Sequence, residues 1–392
     1  METFLLDWSN LLLRWAHLIL GIGWIGTSFY FIGLDVSLRK REGLPADVYG
    51  SSWQVHGGGF YDVRKYTVAP SQLPPDLIWF KWEAYLTWVT GFALIVVQYY
   101  FNATAYLIDP GKLALTPAMA IGISVVSLGL GWLVYNGLCR SPLGASQPAL
   151  MSVLFVIVLG AAWGYTHVYS GRGALIHVGA LVGTWMAFNV FMIIVPNQKK
   201  IVASLLKGEA PDARLGAIGK QRSVHNTYLT LPVILMMVSN HYPMLTNHPH
   251  SWLLVGLVLV IGALVRHFIV RHEAGDAMGK IAWTLPVAAV ALLAAMVLTA
   301  PRVDPAMAGL KVSDAEVLAI AQKHCVQCHA AKPTHEGFSE APKGVVFASP
   351  ADIRRYGPLV LQQAVQSDAM PLGNETGISD AERRQLGAWL LK

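Results

Sequence analysis

The sequence predicts an all-α fold: a polytopic membrane bundle of about eight helices, followed by a small helical domain of ordinary polar composition. Three observations predict it. The 392 residues are 54% hydrophobic and 13% charged, where a soluble chain carries about 25% charged residues. Eight apolar stretches, at about 11–33, 84–101, 115–137, 149–169, 174–195, 223–240, 251–270 and 281–300, approach the roughly 20 residues that a hydrocarbon core demands. After Pro301 the composition turns polar. That change places a boundary within 301–312 and divides the chain into 1–303 and 304–392.

The stretches differ in quality. The sixth is the weakest, because Arg222, His225, Asn226 and Thr227 stand at its start. Charge orders the loops between them. Arg39, Lys40, Arg41, Arg64, Lys65 and Lys81 follow the first stretch, and Lys199, Lys200, Lys207, Arg214, Lys220 and Arg222 follow the fifth. Arg140, Arg271 and Lys280 follow the third and seventh, while the opposite loops hold only Lys112 and Arg172. Lys and Arg gather on the cytoplasmic side of a membrane, so the N-terminus and the polar tail are expected outside. The first stretch lacks a basic leader and an A-x-A site, so it reads as a retained helix and not a cleaved signal. The net charge of +6 follows from this topology and gives no reason to expect nucleic acid.

The tail carries the most specific motif, Cys325-Val326-Gln327-Cys328-His329. C-x-x-C-H is the attachment pattern of a c-type haem: each thiol adds to a vinyl group and the imidazole becomes an axial ligand. Met370 is the only methionine from Leu310 to the end, and His329 with Met370 would close both axial positions, as in an electron carrier. A zinc site would need four ligands. The tail therefore reads as a class I-like cytochrome c domain with one covalent haem c. Ser313-Asp314-Ala315-Glu316 and Ser379-Asp380-Ala381-Glu382 have the capping-box pattern that opens a helix. Covalent haem c is attached on the outer side of a bacterial inner membrane, which agrees with the charge count.

Ionisable groups inside a membrane are functional candidates. By topology His17 and His177 fall in the outer half of the bilayer, and His225 and His267 near the inner face with His56 in the adjoining loop. Two pairs at two depths suit one or two b haems, since neutral imidazole buries no charge. Four separate histidines bonded to their neighbours is the alternative. His167, His241, His248 and His250 are expected at the outer surface, and Cys139 as a small buried side chain. The inner face is unusually polar. His56-Gly57-Gly58-Gly59, Lys81-Trp82-Glu83 and Arg222-Ser223-Val224-His225-Asn226 could together hold a planar, hydrogen-bonding anion. The glycines lack the P-loop pattern. For Lys199 and Lys200 the positive-inside rule is sufficient explanation.

Several runs resemble the bacterial membrane-bound urate hydroxylases: Phe4-Leu5-Leu6-Asp7-Trp8 through Arg14-Trp15-Ala16-His17, Trp24-Ile25-Gly26-Thr27-Ser28-Phe29, Phe80-Lys81-Trp82-Glu83-Ala84-Tyr85 and His225-Asn226-Thr227-Tyr228. The resemblance extends over essentially the whole chain, including an eight-helix domain followed by a cytochrome c. It implies conversion of urate to 5-hydroxyisourate, with electrons passed to a respiratory cytochrome c or terminal oxidase. The helix of His17 more distantly resembles membrane haem proteins. A base near the purine would assist the oxidation, and His56, His225 or Glu83 could serve. The residues alone also admit a quinol-fed electron conduit, a transporter or sensor with a redox tail, and a different membrane oxidase.

Overall fold

The computed structural model describes residues 2–70, 73, 74, 76–300 and 304–392. Met1 and residues 301–303, where the domain boundary is expected, lie outside the described residues. The chain is 69% helix and 5% strand, so the all-helical expectation needs one amendment.

The chain opens with α1, Glu2–Ser37. Leu11, Trp15, Leu18 and Ile22 form an exposed apolar stripe along it, at the spacing that puts side chains on one helical face. The amendment follows. Strands β1 (Val48–His56) and β2 (Gly59–Tyr66) pair antiparallel, with His56 opposite Gly59. Gly57 and Gly58 turn the chain at φ 59° and 79°. A two-residue hairpin turn of this kind needs positive φ at both central positions, which glycine adopts without clash. The segment expected as a loop is therefore a hairpin, with Trp53, Val55 and Phe60 exposed.

Helix α2, Trp82–Ile95, continues through a π turn at Val96–Tyr100. Next come α3 (Pro117–Arg140), α4 (Gln147–Val168), α5 (Gly171–Leu206), α6 (Ala213–Val238), α7 (Ser251–Glu273) and α8 (Thr284–Leu298). Their starts are marked by local chemistry. Thr116 and Ser170 accept the Met119 and Gly173 N–H groups, and Asp212 accepts that of Arg214, satisfying donors that have no intrahelical partner.

Among the described residues, six helical stretches are long and apolar enough to cross a membrane: Phe4–Ser37, Pro117–Arg140, Gln147–Val168, Gly171–Leu206, Ser251–Glu273 and Met278–Leu298. The two other predicted spans differ for identifiable reasons. The 84–101 stretch is divided between α2 and its π turn. The 223–240 stretch is the second half of α6, whose first half carries Arg214, Lys220 and Arg222 and whose interior holds Pro232.

Helix α5 is the axis of the bundle. It packs against α2, α3, α4 and α6, and α7 closes the ring onto α4, α6, α8 and α1. Two thirds of its apolar window is buried, against none for α1. A second buried cluster lies in the tail. Val317 and Ala321 of α9 (Asp314–His324) and Leu386, Ala388 and Trp389 of α10 (Asp380–Leu390) join Phe347 and Ile353. Trp389 Nε1 donates to Asp314 Oδ1 at 2.8 Å and ties the two helices together. Both capping boxes are formed. The tail rests on the bundle through Leu372–Asn374, which packs on the short helix Ala103–Tyr106. A small cavity of about 20 Å³ remains beside Tyr106, Arg172 and Ala369. This is the tail end of the bundle; the opposite end carries the hairpin.

Candidate functional site

A polar cluster is buried where α3, α5 and α6 meet. Arg222, 1% exposed, donates from Nη2 to Asn136 Oδ1 at 2.8 Å and from Nη1 to Asn189 Oδ1 at 3.3 Å. Its guanidinium lies 5.0 Å from the Tyr135 ring centroid. Asn189 Nδ2 donates to the Tyr135 hydroxyl at 2.7 Å and to Asn226 Oδ1 at 2.9 Å. Asn226 in turn donates to the Met186 carbonyl. A π turn at Asn189–Ile194 of α5 sets Asn189 into this network, and such turns often sit at functional sites.

The bonding defines the state of His225, which is fully buried. The Tyr135 oxygen accepts from Asn189, so its proton is directed to His225 Nδ1, 2.8 Å away. Nδ1 is then the acceptor and Nε2 carries the hydrogen of a neutral imidazole. Nε2 has no partner, and neither has Arg222 Nε or Trp185 Nε1. Tyr135 is the common neighbour: Trp185 stacks on it at 4.7 Å and His225 meets it edge-on at 5.8 Å. No carboxylate forms an ion pair with Arg222 among the described residues. Burying an uncompensated cation and three unmade hydrogen bonds costs several kcal/mol, on the order of 1–3 for each unmade bond. The cluster is thus electropositive and rich in donors, which suits an anion with acceptor edges.

Three of the residues singled out from sequence, Arg222, His225 and Asn226, meet here. The others do not join them. His56 is exposed at the end of the hairpin. Lys81 precedes α2 and lies 5.1 Å over the Trp82 ring. Glu83 packs in the α1–α2 seam, its Cγ 3.7 Å from where a Cβ on Gly23 would stand. Tyr135, Asn136, Trp185 and Asn189 belong to the site and were not singled out. Asn136 and Asn189, inside apolar runs, were the signal that could have found them.

The remaining histidines are each tied to neighbours. His17 Nδ1 donates to the Thr87 carbonyl at 2.9 Å. Its ring occupies the space over Gly91, where a Cβ would come within 2.8 Å. His177 donates from Nδ1 to the Gly173 carbonyl and accepts at Nε2 from Ser124, both at 2.7 Å. Tyr99, Tyr165 and Tyr169 enclose it. Both ring nitrogens of His177 are thus hydrogen-bonded within the bundle. His267 Nδ1 is 2.8 Å from the Tyr228 hydroxyl, one turn along α6 from His225.

In the tail, Cys325 and Cys328 are free thiols. Burial, with the neighbouring Cys328 adding to it, pushes the Cys325 thiol up to about 11, and burial raises Cys328 as well. His329 Nδ1 donates to the Val345 carbonyl at 2.9 Å, which leaves Nε2 as a free acceptor. Met370 packs in the same cluster as Cys325 and Val326, and Arg383 holds its carbonyl at 2.8 Å. Cys325 and Met370 pack on one apolar cluster, the His329 ring lies 5.3 Å from its Phe347, and with the free Cys328 thiol this donor set fits a covalent haem for which His329 and Met370 would be the axial ligands.

Among the described residues, six apolar helices of membrane length fit a membrane protein, with a cation-bearing polar cluster buried between three helices. The chain belongs to the urate oxidase N-terminal family, whose model matches residues 3–300. That membership points to oxidoreductase chemistry on urate. The match includes every residue of the α3–α5–α6 cluster and ends before the tail. No curated protein and no solved structure matches the chain.

Proposed function

We propose that the protein is a membrane-bound urate hydroxylase, oxidising urate to 5-hydroxyisourate and passing the electrons to a haem c on its own C-terminal domain. The observation that carries the reading is the family match over 3–300, within which Arg222 is buried without a counter-ion. The reaction removes two electrons and two protons from urate and water, and the new C5 oxygen comes from water. Urate is a flat monoanion at neutral pH with carbonyl and ring-nitrogen acceptors. Arg222 balances its charge, while Arg222 Nε, His225 Nε2 and Trp185 Nε1 donate to its edges. Asn189 and Tyr135 hold His225 with Nδ1 as acceptor, which keeps the Nε2 hydrogen available to a bound anion. The buried surroundings strengthen each of these contacts.

Residues 304–392 form the cytochrome c domain in this reading, held to its haem by Cys325, Cys328, His329 and Met370. A haem c held by these residues would supply one-electron acceptance, so each urate oxidised would require two successive transfers. The bundle crosses a bacterial inner membrane eight times, with α2 and α6 as the two spans of lower hydropathy. The hairpin faces the cytoplasm and the tail the periplasm, where a respiratory cytochrome c or terminal oxidase would receive the electrons. No step is assigned to a b haem.

The deciding experiment is anaerobic addition of urate to the oxidised, purified protein with its visible spectrum recorded. Reduction of the c haem, with 5-hydroxyisourate formed, is expected. A haem that stays oxidised with urate but is reduced by quinol would replace this reading with that of an electron conduit.

A further inference from the structure

A second arginine is buried without a partner, and no part of the urate reading uses it. Arg266 on α7 is wholly buried. All three of its guanidinium nitrogens lack a hydrogen bond. Its guanidinium carbon lies 3.6 Å from the centroid of the Phe29 ring of α1. A cation over an aromatic face recovers some energy, on the order of 2 kcal/mol when desolvated, less than the burial of an unpaired charge costs. Such a group calls for an anion.

The other side of Phe29 shows where the anion would come from. Phe29 borders an open surface cavity at the hairpin end, lined by α1, β1 and the last turn of α7, with Arg266 behind Phe29 and outside the lining. Arg266 stands seven residues before Glu273 at its rim, about 10 Å deeper along the helix. The walls are aromatic, Phe29 with Tyr30 and Trp53. The Tyr30 hydroxyl donates to Gln54 Oε1 at 2.9 Å, which turns the two amide hydrogens of Gln54 outward as free donors. Glu273 at the rim is an acceptor and forms no ion pair with Arg266.

We infer that this cavity is a binding site for a flat heterocyclic anion, seated against Phe29 with Arg266 as its charge partner. Gln54 donates to a ring carbonyl and Glu273 accepts a ring N–H. Phe29 is a movable cover: displaced by the ligand ring, it gives up the face of the guanidinium to it. A tetrahedral anion such as phosphate would match the charge but not the aromatic walls. The site is distinct from the α3–α5–α6 cluster in its elements, α1, β1 and α7, and no side-chain hydrogen bond among the described residues joins the two. The inference does not depend on the reaction proposed above.

The test is equilibrium dialysis of the full haem-loaded chain carrying Arg222→Gln, with urate, benzoate and inorganic phosphate as probes. Saturable urate binding is expected, at least tenfold weaker when Arg266→Met or Gln54→Leu is added and tighter with Phe29→Ala. Phosphate should bind at least tenfold more weakly than urate. No urate binding in the Arg222→Gln chain, or binding unchanged by Gln54→Leu and Phe29→Ala, would overturn the site. Phosphate binding as tightly as urate would overturn the flat ligand. If Arg266→Met does not fold, the two cavity variants decide alone. Binding that responds to them while urate leaves the wild-type haem oxidised would keep this inference and sink the urate reading.

Discussion

Arg222 shows most directly how one residue is held by its surroundings. Two asparagine oxygens take its Nη1 and Nη2 and a tyrosine ring lies beneath it, so its charge is solvated by dipoles and not neutralised. Arg222→Lys keeps the charge but loses the planar fork that spans Asn136 and Asn189. Turnover of urate should fall at least 100-fold, with the c-haem spectrum unchanged; near-normal turnover would remove Arg222 from the site. In the tail, Glu382 is held well below the usual carboxylate range, first by the Ser379 N–H and then by the Lys323 ammonium. A carboxyl depressed on folding contributes stability above its unfolded value of about 4.3, and that contribution is lost as pH falls through the lower folded value. Thermal melting of the tail followed by its visible spectrum should therefore weaken below about pH 4.3. Glu382→Gln should flatten that acid limb, and an unaltered limb would show that other carboxyls govern it.

At the scale of elements, glycines and caps decide how closely helices meet. The α1–α2 seam depends on Gly91, because the His17 ring fills the space a side chain would take. Gly91→Val should push His17 off the Thr87 carbonyl and cost about 1–3 kcal/mol through overpacking; a melting temperature equal to wild type would show that the ring moves aside freely. The tail helices rely on capping boxes instead. Ser379→Ala should cost about 1 kcal/mol, measured as the loss in tail stability. Both boxes, and the helices they open, were legible in four-residue patterns because capping is a local interaction. The hairpin turn rests on Gly57-Gly58, but its strands show no regular alternation of buried and exposed residues, so from sequence the segment reads as a loop.

For the whole molecule, the tail is docked and not tethered at a distance. Gly373, at φ +60°, fits against the end of the short helix Ala103–Tyr106, and a Cβ there would lie 3.3 Å from the Ile108 carbonyl. Gly373→Val should lift the Met370 loop from the bundle, seen as faster hydrogen exchange across 103–108; unchanged exchange would mean the contact is dispensable. Orientation is open to a direct check. His56→Cys at the exposed hairpin end should react with a membrane-impermeant maleimide in inverted vesicles and not in intact cells. The reverse pattern would invert the proposed topology.

The sequence by itself determined what depends on composition and on near neighbours in the chain. Apolar stretches of membrane length, a polar tail, the C-x-x-C-H motif and its methionine, and the helix caps can all be seen within a few residues of themselves. Only the tertiary structure decided which polar groups meet. It joined Arg222, His225 and Asn226 to Tyr135, Asn136 and Asn189 from two other helices, and set His56, Lys81 and Glu83 apart from them. It closed both nitrogens of His177 with Ser124 and Gly173. It also left Arg266 bare behind Phe29, from a helix more than two hundred residues away in the chain. A buried hydrogen bond depends on direction and distance in space, and helices far apart in sequence set both through their packing.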